Sequence, residues 1–205
     1  MAAILCILAL PVAADEVTVL ALGDSLTHGY GLPTEDGLVP QLQAWLGENG
    51  ADVRVINAGV SGDTTQGARN RVEWSLTPDV DAMIVELGGN DVLRGIDPAI
   101  SRANLDAILA VAKDRALPVL LIGLPASGNY GPEYKRDFDA IFPDLAAKYG
   151  TLLIENFFEA LAADGDPGAA RRWMQADGLH PNAQGVSRIV GAIGPVVLRL
   201  VAEVD

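Results

Sequence analysis

The stretch Val17-Thr18-Val19-Leu20-Ala21-Leu22-Gly23-Asp24-Ser25-Leu26 decides how the rest of the chain is read. Val17 to Leu22 is a continuous apolar and β-branched run, the pattern of a strand buried on both faces of a parallel sheet. It stops at Gly-Asp-Ser, so a hydroxyl sits at the mouth of a buried strand, where open α/β sheets bind their ligands. On these residues alone, Ser25 is either a turn former or a nucleophile.

Working outward, the same rhythm repeats. Val39, Leu42, Trp45 and Leu46 have helical spacing, closed by Gly47 or Asn49-Gly50. Val53 to Ile56 is a second strand, followed by Asn57-Ala58-Gly59 and a second glycine-rich turn through Gly62. Asp63 with Gln66 forms an expected capping box, placing Gly62 just before a helix N-terminus. Ala82 to Leu87 is a third strand running into Gly88-Gly89-Asn90-Asp91. Asp97-Pro98 caps a long helix whose inner face is marked by Ile100, Ala103, Ala107, Ile108 and Val111. Val119 to Gly123 and Thr151 to Ile154 are further strands around a helical stretch, Pro132 to Tyr149. Residues 156 to 180 are irregular. Asn182 to Val201 is a last helix, with Gly191, Gly194 and Pro195 expected to interrupt or bend it. Alternating strands and helices imply an α/β chain, a three-layer α/β/α sandwich around a parallel sheet of about five strands.

Composition narrows the function. Of 205 residues, half are hydrophobic, which suits one compact domain. Residues 1–14 read as an export signal cleaved after Ala14, leaving 15–205 as the domain in the periplasm or outside the cell, with no stable membrane insertion. Cys6, the only cysteine, lies in that segment; thiol nucleophiles and cysteine metal sites are thereby excluded from the mature chain. A net charge of -13 opposes nucleic acid and anionic membranes and leaves a neutral ester or glycan substrate open. Asp79 and Asp81 flank a strand start as solvated charge, and no metal or other cofactor is expected. The oligomeric state is left open.

A serine acyl transfer needs a base, and only His28 and His180 exist. Asp177-Gly178-Leu179-His180-Pro181 places a carboxylate three residues before an imidazole, a spacing that lets Asp177 fold back and fix the tautomer, although an Asx-turn with a surface histidine fits the same residues. His28 has no such partner and is expected at the rim or in solvent. Three hydrogen-bond donors could face a developing oxyanion: the Ser25 N–H, the Gly62 N–H and the Asn90 side-chain amide. Each follows a strand, so they converge on one rim. Ser61 reads as structural, because Asp63 breaks the Gly-x-Ser-x-Gly elbow. Neither a Gly-x-Gly-x-x-Gly nor a Walker pattern is present.

Gly23-Asp24-Ser25-Leu26, Ser61-Gly62-Asp63-Thr64, Gly88-Gly89-Asn90-Asp91 and Asp177-Gly178-Leu179-His180-Pro181 resemble, in order, the four sequence blocks of the GDSL, or SGNH, hydrolases, and most closely their bacterial arylesterase, thioesterase and lysophospholipase branch. The resemblance implies a flavodoxin-like three-layer fold and no cofactor. It implies Ser25 as nucleophile, His180 as base, Asp177 as its orienter, and Ser25, Gly62 and Asn90 as oxyanion donors. The implied substrates are short- to medium-chain acyl esters or thioesters. Leu26, Asp63, Asn129, Tyr130 and Leu179 are expected to face them, Asn129 and Tyr130 from a substrate loop over Leu124 to Tyr134. Thr27-His28, where the family often has a smaller residue, could narrow the site. Asp24 is left with a backbone-organising role. A carbohydrate O-deacetylase with a platform of Trp74 and Trp173, and a non-catalytic glycan- or lipid-binding module, are the alternatives.

Overall fold

The computed structural model describes residues 16–162 and 169–204, so the expected signal segment lies outside the described residues. Its elements alternate as the sequence implies. Strand β1 (Val17–Gly23) leads to helix α1 (Ser25–His28) and α2 (Leu38–Glu48); β2 (Val53–Gly59) to α3 (Thr65–Ser75); β3 (Ala82–Glu86) to α4 (Gly89–Leu93) and α5 (Pro98–Asp114). Then β4 (Val119–Ile122) precedes α6 (Gly131–Asp139) and α7 (Ile141–Tyr149), and β5 (Leu152–Ile154) precedes α8 (Glu159–Ala162) and α9 (Ala183–Val201). The strands form one sheet in the order β2-β1-β3-β4-β5, with every pair parallel. The order reverses between β1 and β3, so a crevice opens at the carboxyl ends of those two strands.

The period-two alternation of β1 assigns the layers. Leu20 and Leu22 belong to a core shared with α3, α5, α6 and α7, while Val19 and Ala21 belong to a core shared with α2 and α9. Burial on both faces explains why no polar alternation marks β1, β3 and β4. Each fully buried Leu, Ile or Val contributes roughly 1.5–3 kcal/mol relative to exposure.

Three helical expectations are corrected. The inner face of α5 carries Ser101, Asn104, Leu105, Ile108, Leu109 and Ala112; of the expected residues only Ile108 is buried, and Ile100 is half exposed. Polar partners rotate the helix: the Ser101 hydroxyl donates to Asp91 Oδ1 at 2.8 Å and the Asn104 amide to Thr65 Oγ1 at 3.1 Å. The stretch Pro132 to Tyr149 is two helices. Pro143 has no N–H for the Asp139 carbonyl and its ring crowds that group, so α6 ends at Asp139. Conversely, α9 is continuous across Gly191, Gly194 and Pro195. An apolar face from Val186 to Leu200 holds it on the sheet, and Gly194 lets the Trp45 ring approach, since a Cβ there would lie 2.5 Å from the indole.

Candidate active site

The turn that carries Ser25 is built from below. Gly23 ends β1 where a Cβ would meet Thr27 Oγ1 at 2.0 Å, so a side chain cannot fit. Asp24 caps α1, its Oδ1 accepting the Leu26 N–H at 3.0 Å. Ser25 therefore emerges at the rim as the first residue of α1. Thr27 points the other way. It is buried and donates its hydroxyl to Glu86 Oε2 at 2.9 Å, so it does not narrow the site.

The imidazole arrives from the far end of the chain. Gly178, with φ +67°, folds the loop back so that Asp177 Oδ1 accepts the N–H groups of Leu179 (2.9 Å) and His180 (3.1 Å). Asp177 Oδ2 then lies 2.7 Å from His180 Nδ1, and His180 Nε2 lies 2.9 Å from Ser25 Oγ. With Nδ1–H donating to Asp177, Nε2 accepts from the Ser25 hydroxyl. The hydrogen bond from the His180 ring, followed by the two backbone N–H groups, holds the Asp177 carboxyl down at about 2. Two further residues fix this loop. The Gln175 amide donates to Tyr30 O (2.9 Å) and Pro181 O (3.0 Å), and the Tyr30 ring packs 4.8 Å from the His180 ring.

Opposite Ser25, Gly62 takes φ +81° and its carbonyl accepts from Arg94 at 2.8 Å. Among the described residues, neither the Ser25 nor the Gly62 N–H donates to a protein atom. Asn90 is the second residue of α4, which follows Gly88, whose φ of +117° makes the turn out of β3. All three border one groove of about 520 Å³ together with His180 and Asp177, and its apolar wall includes Leu26, Tyr30, Leu93, Phe158 and Leu179. A hydroxyl, an imidazole, an ionised carboxylate and free donors beside an apolar wall are the parts of acyl transfer.

Residues 21–188 match the GDSL-like lipase/acylhydrolase family. The chain belongs to that family. It is 38% identical over 181 residues to esterase TesA of Pseudomonas aeruginosa, covering 88% of this chain and 87% of that protein. It is 36% identical over 172 residues to thioesterase 1/protease 1/lysophospholipase L1 of Escherichia coli K12, covering 83% and 78%. The solved structure of the psychrotrophic esterase EstA from Pseudoalteromonas has a TM-score of 0.82 at 29% identity, covering 92% of this chain and all of that one. The protein is accordingly a carboxylic ester hydrolase of the SGNH type.

Within this GDSL-family hydrolase, several expected contacts fall elsewhere. Asp63 does not cap α3; Thr64 does, accepting the Gly67 N–H. Asp63 instead pairs at 2.8 Å with Arg71, which also donates to Ala58 O and Gly23 O and so ties the ends of β1 and β2 together beneath the rim. Asn129 and Tyr130 are not in the groove wall, where Leu124, Pro125 and Ser127 represent their loop. The following 3₁₀ turn carries them outward, and the Tyr130 ring docks on Gly95 and Tyr134. Trp74 is exposed in the last turn of α3 and Trp173 packs between Arg172 and Arg188; neither borders the groove, so they form no common platform. His28 is exposed, with Nδ1 3.2 Å from Ser61 Oγ. Asp79 pairs with Arg54, and Asp81 accepts the Thr18 N–H.

Sequence reasoning missed Glu86, a carboxyl inside the apolar run of β3. It is fully buried, and among the described residues its Oε1 has no hydrogen-bond partner. Burial first, and then the nearby Asp24, push this carboxyl well above its ordinary value of 4.5. A raised value means that the neutral acid stabilises the fold fully below 4.5, and that this contribution is lost as pH climbs through the folded value. Glu86→Gln cannot ionise. Its melting temperature is expected to gain on the wild type as pH rises from about 5 to about 9; a difference constant with pH would contradict the buried neutral acid.

Proposed function

We propose that this hydrolase cleaves short- to medium-chain acyl esters through an acyl-enzyme on Ser25. The observation that carries the reading is the unbroken relay Asp177 Oδ2, His180, Ser25 Oγ at 2.7 and 2.9 Å on the groove wall. In the first step Ser25 Oγ attacks the carbonyl carbon while Nε2 takes its proton. Asp177 stays ionised and stabilises the imidazolium. Negative charge gathers on the former carbonyl oxygen, where the Ser25 and Gly62 N–H groups and the Asn90 amide donate. Removing one such donor typically costs about 2.7–4 kcal/mol. Collapse breaks the ester bond, and the imidazolium protonates the departing alkoxide or thiolate. Water, deprotonated by His180, then attacks the acyl-enzyme and regenerates Ser25.

The names of the relatives, esterase for one and thioesterase and lysophospholipase for another, support an acyl substrate with an oxygen or sulfur leaving group. Leu26 and Leu179, both on the groove wall, are the proposed contacts to the acyl chain. Export is part of this proposal and rests on residues 1–14, outside the described residues. The test is a series of p-nitrophenyl esters from acetate to palmitate beside an acyl-CoA and a lysophospholipid. The highest kcat/KM is expected between acetate and octanoate, with an initial burst of p-nitrophenol where deacylation limits turnover. A maximum at palmitate, or acetate release confined to acetylated glycans, would overturn it.

A further inference from the structure

One buried carboxyl in contact with the candidate site has no part in the relay. Asp24 is 2% exposed, and its two oxygens serve different neighbours: Oδ1 accepts the Leu26 N–H at 3.0 Å and Oδ2 accepts the Asn90 side-chain amide at 3.1 Å. A planar amide nitrogen carries two hydrogens in fixed directions. Fixing one on Asp24 fixes the other and the plane of the group, on a residue that borders the groove. Gly89, beside Asn90, keeps this contact close, since a Cβ there would lie 3.3 Å from Asp24 Oδ2.

We propose that Asp24 is a positioning residue of the reaction: its carboxylate aims the Asn90 amide at the oxyanion, so that turnover requires Asp24 ionised as well as His180 unprotonated. The inference rests on the roles given above to Ser25, His180 and Asn90. A carboxylate accepts the amide hydrogen far better than a carboxylic acid does, so protonation loosens Asn90 while leaving the hydrogen bonds of the relay in place. The surroundings make that protonation accessible. Burial raises the Asp24 carboxyl to about 6, against the opposing pull of the Leu26 and Asn90 hydrogen bonds and the His180 charge, while Asp63 pushes it upward. The other charged groups packed around the turn are Glu86 from β3 and Arg71 from α3, the latter held on Gly23 O and Asp63. Because Asp24 and Glu86 interact, the titration belongs to the pair.

Turnover of p-nitrophenyl butyrate is to be followed against pH for the wild type, Asp24→Asn, Asn90→Ala and the double variant, after fluorophosphonate labelling has established Ser25 as the nucleophile. The acid limb of wild-type kcat is expected to fall more steeply than one proton allows. Asp24→Asn, which has a single acceptor oxygen for two donors, is expected to lose about 10- to 100-fold in kcat, with KM changed less than about threefold. Its acid limb should shallow to one proton. In the Asn90→Ala background the same substitution should cost less than about threefold. A merely structural role leaves the steepness unchanged and makes the two losses multiply; either result overturns the inference. Wild-type rates in Asn90→Ala would overturn the donor role and this inference together, whereas a large Asn90→Ala loss beside an unchanged Asp24→Asn limb overturns this inference alone. Should Asp24→Asn not fold, the wild-type limb decides: steeper than one proton supports the inference, and a one-proton limb overturns it.

Discussion

Ser25→Ala is expected to lower kcat on p-nitrophenyl acetate and butyrate by about 10⁴- to 10⁶-fold, with a melting temperature close to that of the wild type. The expectation is large because, among the described residues, no other hydroxyl is hydrogen-bonded to His180. Another hydroxyl on the groove wall, Ser61, has its oxygen 3.2 Å from His28 Nδ1, and among the described residues no carboxylate pairs with His28. The donors around the oxyanion would remain and give a small residual rate with water as nucleophile. The fold loses little, since Ser25 is held by its backbone in α1 and, among the described residues, its side chain has the His180 ring as its one hydrogen-bond partner. A loss smaller than about 100-fold would mean that another group attacks the ester.

Asp177→Asn is expected to have the next largest effect, a fall of about 10³- to 10⁴-fold that appears in kcat more than in KM. Asp177 serves three N–H donors with two oxygens: Leu179 and His180 from the backbone, and His180 Nδ1 from the ring. An asparagine has one oxygen. If that oxygen keeps the loop folded, its NH₂ faces Nδ1 and favours the tautomer with hydrogen on Nε2, which cannot accept the Ser25 proton. If the oxygen turns to Nδ1, the loop loses the bonds that carry His180 to the rim. Because the hydrogen bond from His180 holds Asp177 at about 2, its ionised form should persist through any working pH. Its contribution to stability is present above the ordinary value of 3.8 and is lost only as pH falls toward 2. An asparagine variant within about threefold of the wild type would remove Asp177 from the relay.

The parts of this account that were legible in the sequence are those carried by short-range pattern. Val17 to Leu22, Ala82 to Leu87 and Val119 to Gly123 read as buried strands because a parallel sheet covered on both faces needs continuous apolar runs. The contact between Asp177 and His180 was legible because three residues of loop suffice to bring a carboxylate back to an imidazole. What was not legible depends on partners distant in sequence. Asp63 looked like a cap until Arg71 claimed it, and Glu86 stood unnoticed in a strand because its partners, Thr27 and Asp24, lie about sixty residues away. The face of α5 was misread for the same reason: Ser101 and Asn104 point inward only because Asp91 and Thr65 wait there. Asn129 and Tyr130 failed differently. Their loop does border the groove, but its 3₁₀ turn lifts them away from it.

In the proposed reaction Ser25 Oγ is the atom that bonds to the substrate. A fluorophosphonate tests it directly: attack of Ser25 Oγ on phosphorus would expel fluoride and leave a stable serine ester. Intact mass after treatment should rise by one phosphonyl group, with the added mass on the peptide containing Ser25 and none in Ser25→Ala. An unmodified Ser25 peptide from an active enzyme, or a label on any other residue, would contradict it.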